Sequence, residues 1–222
     1  MIKKILPLVI LIFLPSFVYS QEKDFGIWYS LNAKIGLIDK LSLDLSGNLR
    51  TFNKATEIEE SFGEVGLTYK ILKNLSLDGS YRLTDKLEDD SEYHLRHKWI
   101  SDLKGTFDVG DFELSGRLRF QRQVKTFIED ANDKIPDHYG RIKLKTIYKT
   151  PSFPINPFLA FETFSRLFET EEKRFEKYRL SIGLEYQINN KNSIEAGYIF
   201  QRDYLPHLSE INIIALSYNI KL

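Results

Sequence analysis

The chain has 222 residues, of which 31 are Lys or Arg and 31 are Asp or Glu, so its formal net charge is zero. That balance excludes the simplest nucleic-acid partner, because phosphate binding needs a basic excess gathered on one face. The absence of cysteine excludes a disulfide framework, a thiolate zinc site, a cysteine nucleophile and lipid attachment at a cysteine.

Residues 1–20 read as a secretory signal. Lys3 and Lys4 form the basic start, Ile5 to Phe17 the apolar stretch, and Val18-Tyr19-Ser20 the small or short positions before cleavage at Gln21. The alternative, a transmembrane anchor, needs about 20 apolar residues, and Pro7 and Pro15 interrupt this shorter run. Removing the signal leaves one domain, residues 21–222, with 29 basic against 31 acidic side chains.

From Phe25 onward the apolar period is two, the period of a strand with two unlike faces. In Phe25 to Ile38, Ile27, Tyr29, Leu31, Ala33, Ile35 and Leu37 share one face, and Trp28, Ser30, Asn32 and Lys34 share the other. Leu41 to Thr51 sets its leucines against Ser42, Asp44, Ser46, Asn48 and Arg50. Gly63 to Ile71 sets Val65, Leu67 and Tyr69 against Glu64, Thr68 and Lys70. Leu75 to Leu83 opposes Leu77 and Tyr81 to Asp78, Ser80 and Arg82. The fifth run, Tyr93 to Phe107, places Leu95, Trp99 and Leu103 opposite His94, Arg96, Lys98, Asp102 and Lys104. Runs over 112–124 and 142–148 continue the pattern, with Glu113, Ser115, Arg117 and Arg119 and then Arg141, Lys143 and Lys145 on the polar face. The eighth run, Pro157 to Phe168, is the least clean, its second face mixing Phe158, Glu162, Phe164 and Arg166. Runs over 178–188, 194–201 and 214–222 bring Arg179, Ser181, Glu185, Glu195 and Asn219 to the polar side. Eleven strands are predicted in all. Short turns at Asp39-Lys40, Lys73-Asn74, 108–111, 150–156 and 189–192 alternate with longer polar loops at 53–60, 85–92, 125–137, 169–174 and 205–209.

That layout predicts an all-β, antiparallel up-and-down transmembrane β-barrel of 10–12 strands. Several runs exceed the ~5–6 residues usual in soluble strands and reach the ~9–11 that cross a bilayer at a tilt. The apolar face is nearly free of charge and carries aromatics near strand ends, as an interfacial girdle does. Its exceptions, His97, Arg122 and Arg202, fall toward the long-loop ends. The alternative is a soluble lipocalin-like barrel with an apolar lumen. Single-chain bacterial barrels have even strand numbers, so the odd count suggests ten or twelve strands, with the first run partly outside the wall or one strand missed. The expected location is the outer membrane. The expected partners are its lipid, the barrel-insertion machinery that would read the alternation Ile214 to Leu222, and a small anionic solute.

The segments Asp24 to Ser30, Leu41 to Arg50, Tyr93 to Asp102 and Tyr178 to Tyr186 together resemble the DUF2490 family of Bacteroidetes-type and related bacteria. The resemblance covers essentially the whole mature chain. It implies an outer-membrane barrel and supplies no activity and no functional residues.

The polar face offers little for catalysis. His94 and His97 fall on opposite faces of one strand, and no His-Glu-x-x-His spacing occurs, so neither a metal nor another cofactor is expected. A Ser-His-acid triad would have to join His94 to Ser80 or Ser115 and to Asp78 or Asp102. Acidic pairs Asp89-Asp90 and Glu171-Glu172 belong to the longer loops. The informative set is the lumen charge: Arg96, Lys98, Lys104, Arg117, Arg119, Arg141, Lys143, Lys145 and Arg179 against Glu64, Asp78, Asp102, Glu113, Glu162, Glu185 and Glu195. Two readings follow, a salt-bridged plug and a narrow channel in which a basic wall faces an acidic one and favours anionic or zwitterionic solutes. The plug is favoured, because unpaired charge in a confined lumen is costly.

Overall fold

A computed structural model describes residues 24–88, 91–126, 136–151, 153–169, 174–205 and 207–222. The signal segment, both acidic pairs and most of the loop 125–137 lie outside the described residues. The strands are β1 (Asp24–Ile38), β2 (Leu41–Phe52), β3 (Glu57–Leu72), β4 (Leu75–Leu87), β5 (Tyr93–Val109) and β6 (Phe112–Lys125). They continue as β7 (Asp137–Tyr148), β8 (Ile155–Arg166), β9 (Phe175–Asn189), β10 (Asn192–Asp203) and β11 (Ser209–Lys221). Each pairs with its neighbours in sequence, and β1 pairs with β11, so the sheet closes on itself as a barrel.

Closure differs from the even count expected. There are eleven strands among the described residues, and the first run is a full member of the wall. An odd number leaves β1 and β11 running the same way, and they pair in parallel from Asp24↔Ile211 to Lys34↔Lys221. Backbone bonds extend this seam to Leu222, whose N–H donates to Lys34 O at 2.8 Å and whose oxygen accepts from Gly36 N at 2.9 Å. On the lumen side Asn32 Nδ2 donates to Asn219 Oδ1 at 2.9 Å. The parallel seam satisfies two edges that would otherwise expose a row of N–H and C=O groups. That gain outweighs the somewhat weaker pairing of a parallel ladder.

The loop predicted over 53–60 is also shorter than expected. Asn53, Lys54 and Ala55 all take positive φ, turning the chain within four residues. Ala55 N donates to Phe25 O, and β3 begins at Glu57. A register shift at Arg50/Thr51 then keeps Glu60 opposite Arg50. β4 likewise runs on to Leu87.

The outward face carries Leu31, Leu67, Leu118, Ile142, Leu144, Leu159 and Ile182, all exposed. Near the long-loop ends it gains an amphipathic belt: Tyr81 bonds His97, and the Arg122 guanidinium lies 5.5 Å from the Trp99 ring centre. The inward face is less uniformly polar than its sequence suggests. Ile100, Phe158, Ala160, Phe164 and Ile213 point inward and are buried. Phe158 lies against bare backbone, because a Cβ on Gly183 would come within 2.5 Å of its ring. The glycine therefore makes room for an aromatic filler.

The parallel seam can be tested directly, since the chain has no thiol of its own. A refolded Asn32→Cys, Asn219→Cys double variant should oxidise to an intramolecular disulfide, and Asn32→Cys with Ser193→Cys, one strand further round, should not. Failure of the first pair to cross-link in barrels that keep their heat-modifiable gel mobility would contradict closure by β1 and β11.

Candidate functional site

Eleven strands make a barrel between the eight-stranded kind, which side chains just fill, and the large porins, which leave an aqueous channel. Such a lumen is blocked only if the inward side chains are long. From mid-height toward the long loops they include four stacked arginines. Seven side chains from β4, β3, β2, β1, β9, β8 and β7 stack in alternation across it: Arg82, Phe62, Arg50, Trp28, Arg179, Phe164 and Arg141. Successive guanidinium-to-ring distances are 4.1, 4.9, 4.1, 4.6, 4.5 and 4.2 Å. Each contact contributes about 0.5–2 kcal/mol when desolvated.

Stacking uses the faces of the guanidinium groups and leaves their edges for carboxylates. Arg82 bonds Glu64 through Nε at 2.7 Å and pairs with it through Nη2 at 2.6 Å, while Ser80 Oγ donates to the same carboxylate at 2.9 Å. Arg50 pairs with Glu60. Arg141 and Arg117 converge on one Glu162 oxygen at 2.8 and 2.5 Å. Asp102, only 1% exposed, accepts both Nε and Nη2 of Arg119 at 2.6 and 2.7 Å, with Arg117 at 4.0 Å and Lys104 at 3.9 Å. Glu162 and Asp102 are thus the shared anions of a layer spanning β5 to β8. Arg179 differs: its Nε donates to the neutral Gln201 at 2.6 Å.

The layer divides the interior into two chambers that share no lining residue. Toward the short turns lies one of about 400 Å³. Lys34–Asp44, Lys104–Asp78 and Lys145–Glu195 ion pairs at 2.9, 3.2 and 2.6 Å border it, and Glu185 also lines it. Toward the long loops lies one of about 160 Å³, bordered by Arg96, Lys98 and Lys86 and by one edge of the stacked row. The charges therefore sort along the axis rather than across it: eight basic to three acidic residues line the long-loop chamber, and six to five the other. Of the remaining sequence candidates, Arg96 pairs with Glu88, Glu113 with Lys149 at 3.0 Å, and Asp78 accepts from Thr68 Oγ1. Lys143 stands opposite both Arg117 and Glu162 in register.

The residues considered for a triad do not assemble. His94 is opposite Lys86, six positions along β5 from the residue that faces Ser80 and twelve from the one that faces Ser115. At ~3.3 Å per residue those gaps are about 20 and 40 Å. Ser80 is bonded to Glu64 and Ser115 to the backbone oxygen of Lys145. Among the described residues no three His, Asp or Glu side chains form a group that could hold a metal ion. Sequence reasoning missed Trp28, Phe62 and Phe164 as partners of the arginines. The available signal was an aromatic residue on an otherwise polar face.

If Asp102 holds the layer together, Asp102→Ala should cost about 3–5 kcal/mol, the usual effect of leaving a buried cation without its partner. Asp102→Leu combined with Arg119→Met should recover most of that loss, since an apolar pair of similar volume needs no compensation. Urea unfolding of the refolded barrel in lipid measures both.

Two solved structures similar to the chain are porins. The NanC porin in a rhombohedral crystal form matches with a TM-score of 0.51 at 13% identity, covering 80% of this chain and 86% of that one. An anion-selective porin from Comamonas acidovorans matches with a TM-score of 0.40 at 9% identity, covering 78% of this chain and 55% of that one. No curated protein matches. The model of the family described as "Protein of unknown function (DUF2490)" matches residues 25–212. This eleven-stranded barrel is a member of the DUF2490 family.

Proposed function

We propose that the protein is a non-enzymatic outer-membrane β-barrel whose lumen is closed at mid-height by its own ion pairs and stacked arginines. One observation carries this reading: two chambers with no common lining residue stand on either side of the Asp102–Arg119 and Glu162–Arg141–Arg117 groups. The membrane part is supported by strands of 12–17 residues and by a contiguous outward band of exposed Leu, Ile and Phe, far more than a soluble monomer exposes. Lipid is the solvent that such a band requires. Residues 1–20 act as the export signal, and β11 with the terminal Leu222 is what the barrel-insertion machinery reads. The barrel then serves as a structural or interaction element, with the long loops at the cell surface.

A second reading, a narrow channel for small anionic or zwitterionic solutes, is favoured by the basic excess of the long-loop chamber. The porin-like fold suits either reading.

Planar-bilayer recording on refolded protein separates them. The closed barrel should show little or no steady conductance, and Asp102→Ala with Arg119→Ala should raise it by removing the centre of the layer. A stable, anion-selective open state in the unaltered protein would favour the channel. In that case Arg141→Glu with Lys143→Glu should weaken the anion preference, because lumen charge sets selectivity.

A further inference from the structure

We infer that the long-loop chamber is a binding site for a small organic anion, a carboxylate of about the size of benzoate. The inference rests on two buried cations that make no ion pair within 4.0 Å among the described residues. Lys98 is 8% exposed and borders the chamber. Among the described residues it makes no ion pair within 4.0 Å and no side-chain hydrogen bond. Its two neighbours across the ladders are the neutral Gln123 and another cation, Arg82, and the acid whose charge it feels most, Glu60, is paired with Arg50. Arg179, equally buried, gives its Nε to Gln201 and its faces to Trp28 and Phe164. Glu162 stands opposite it across the β8–β9 ladder but is taken up by Arg117 and Arg141, and no carboxylate among the described residues is within 4.0 Å of Arg179.

An uncompensated buried cation is costly. The other two buried cations, Arg96 and Arg119, each have a carboxylate partner, so a chamber holding two without one is built for an anion from outside. Its volume of about 160 Å³ is close to that of the ~150 Å³ cavity that accommodates benzene. Its lining suits an anion with an apolar body: the Trp28 ring and the Ile211 and Ile213 side chains border it, beside the amides of Gln121 and Gln123 and the Tyr139 ring. The larger chamber lacks this character, since four of its six cations are matched by acids at close range and none of the six is among the buried cations without an ion pair. The site does not depend on whether the barrel conducts, so its test stands apart from the conductance measurement.

Isothermal titration of the refolded full barrel with sodium benzoate, and with benzamide as its neutral counterpart, tests the inference. Benzoate should bind at one site, and benzamide at least about tenfold more weakly, the lower end of what a charge-assisted hydrogen bond contributes. Lys98→Met should weaken benzoate by a similar factor while keeping the heat-modifiable mobility of the folded barrel. Lys191→Gln, in the other chamber, should leave the affinity unchanged. If Lys98→Met does not fold, Gln121→Glu tests the same point by placing a carboxylate within side-chain reach of Lys98, and it too should weaken benzoate at least about tenfold. No benzoate binding at millimolar concentration, equal affinity for benzoate and benzamide, or full affinity in the Lys98 or Gln121 variant would each overturn the assignment.

Discussion

A charge that points into a narrow closed barrel has no bulk water to turn to, and the interior of this protein follows from that constraint. Each strand gives one whole face to the lumen, so the inward side chains must satisfy one another across the axis. Arginine suits this task. Its planar group binds rings with its faces and carboxylates with its edges at once, and here Arg50, Arg82 and Arg141 do both. Lysine, a point charge on a flexible stem, could not tile the cross-section in the same way. The row from Arg82 to Arg141 is therefore the brace of the barrel and, in the closed-lumen proposal, the obstruction in it.

The distribution of charge along the axis has a simple origin. Toward the short turns, anions and cations sit close together on adjacent strands, as Lys34 opposite Asp44 and Lys104 3.2 Å from Asp78, and they neutralise locally. Toward the long loops, the two buried cations without an ion pair each have an amide on one side and a charged neighbour, Arg82 or Glu162, on the other. Gln123 faces Lys98, and Gln201 faces Arg179. Glutamine fills the volume of a glutamate without its charge, and that substitution leaves the long-loop chamber basic.

Much of the fold was legible in the sequence. Period-two alternation placed all eleven strands, put Trp28 on the lumen face and located the short turns, because one buried and one lipid-type face cannot be built from any other pattern. What period two could not show was anything set by partners distant in sequence. The parallel seam joins Asp24 to Ile211, and no local feature of either strand announces it. The early start of β3 depends on a turn of three residues with positive φ, none of them glycine, so the usual marker was missing. The eighth run looked irregular because Phe158 and Phe164 face the lumen, which makes sense only once Gly183 and the arginines are seen beside them. The lumen charges themselves could be named from the strand pattern. Their pairing, which decides between a wall of each sign and a braced plug, could not.

The central claim is that the mid-height layer separates two aqueous chambers. Single cysteines placed on either side of it, at Ser193 in the short-turn chamber and at Gln201 in the long-loop chamber, can be probed in uniformly oriented proteoliposomes. The reagent is a charged, membrane-impermeant thiol reagent added to one face at a time. The account predicts that each cysteine reacts from its own face alone. Modification of both cysteines from a single face would show a continuous lumen and contradict it.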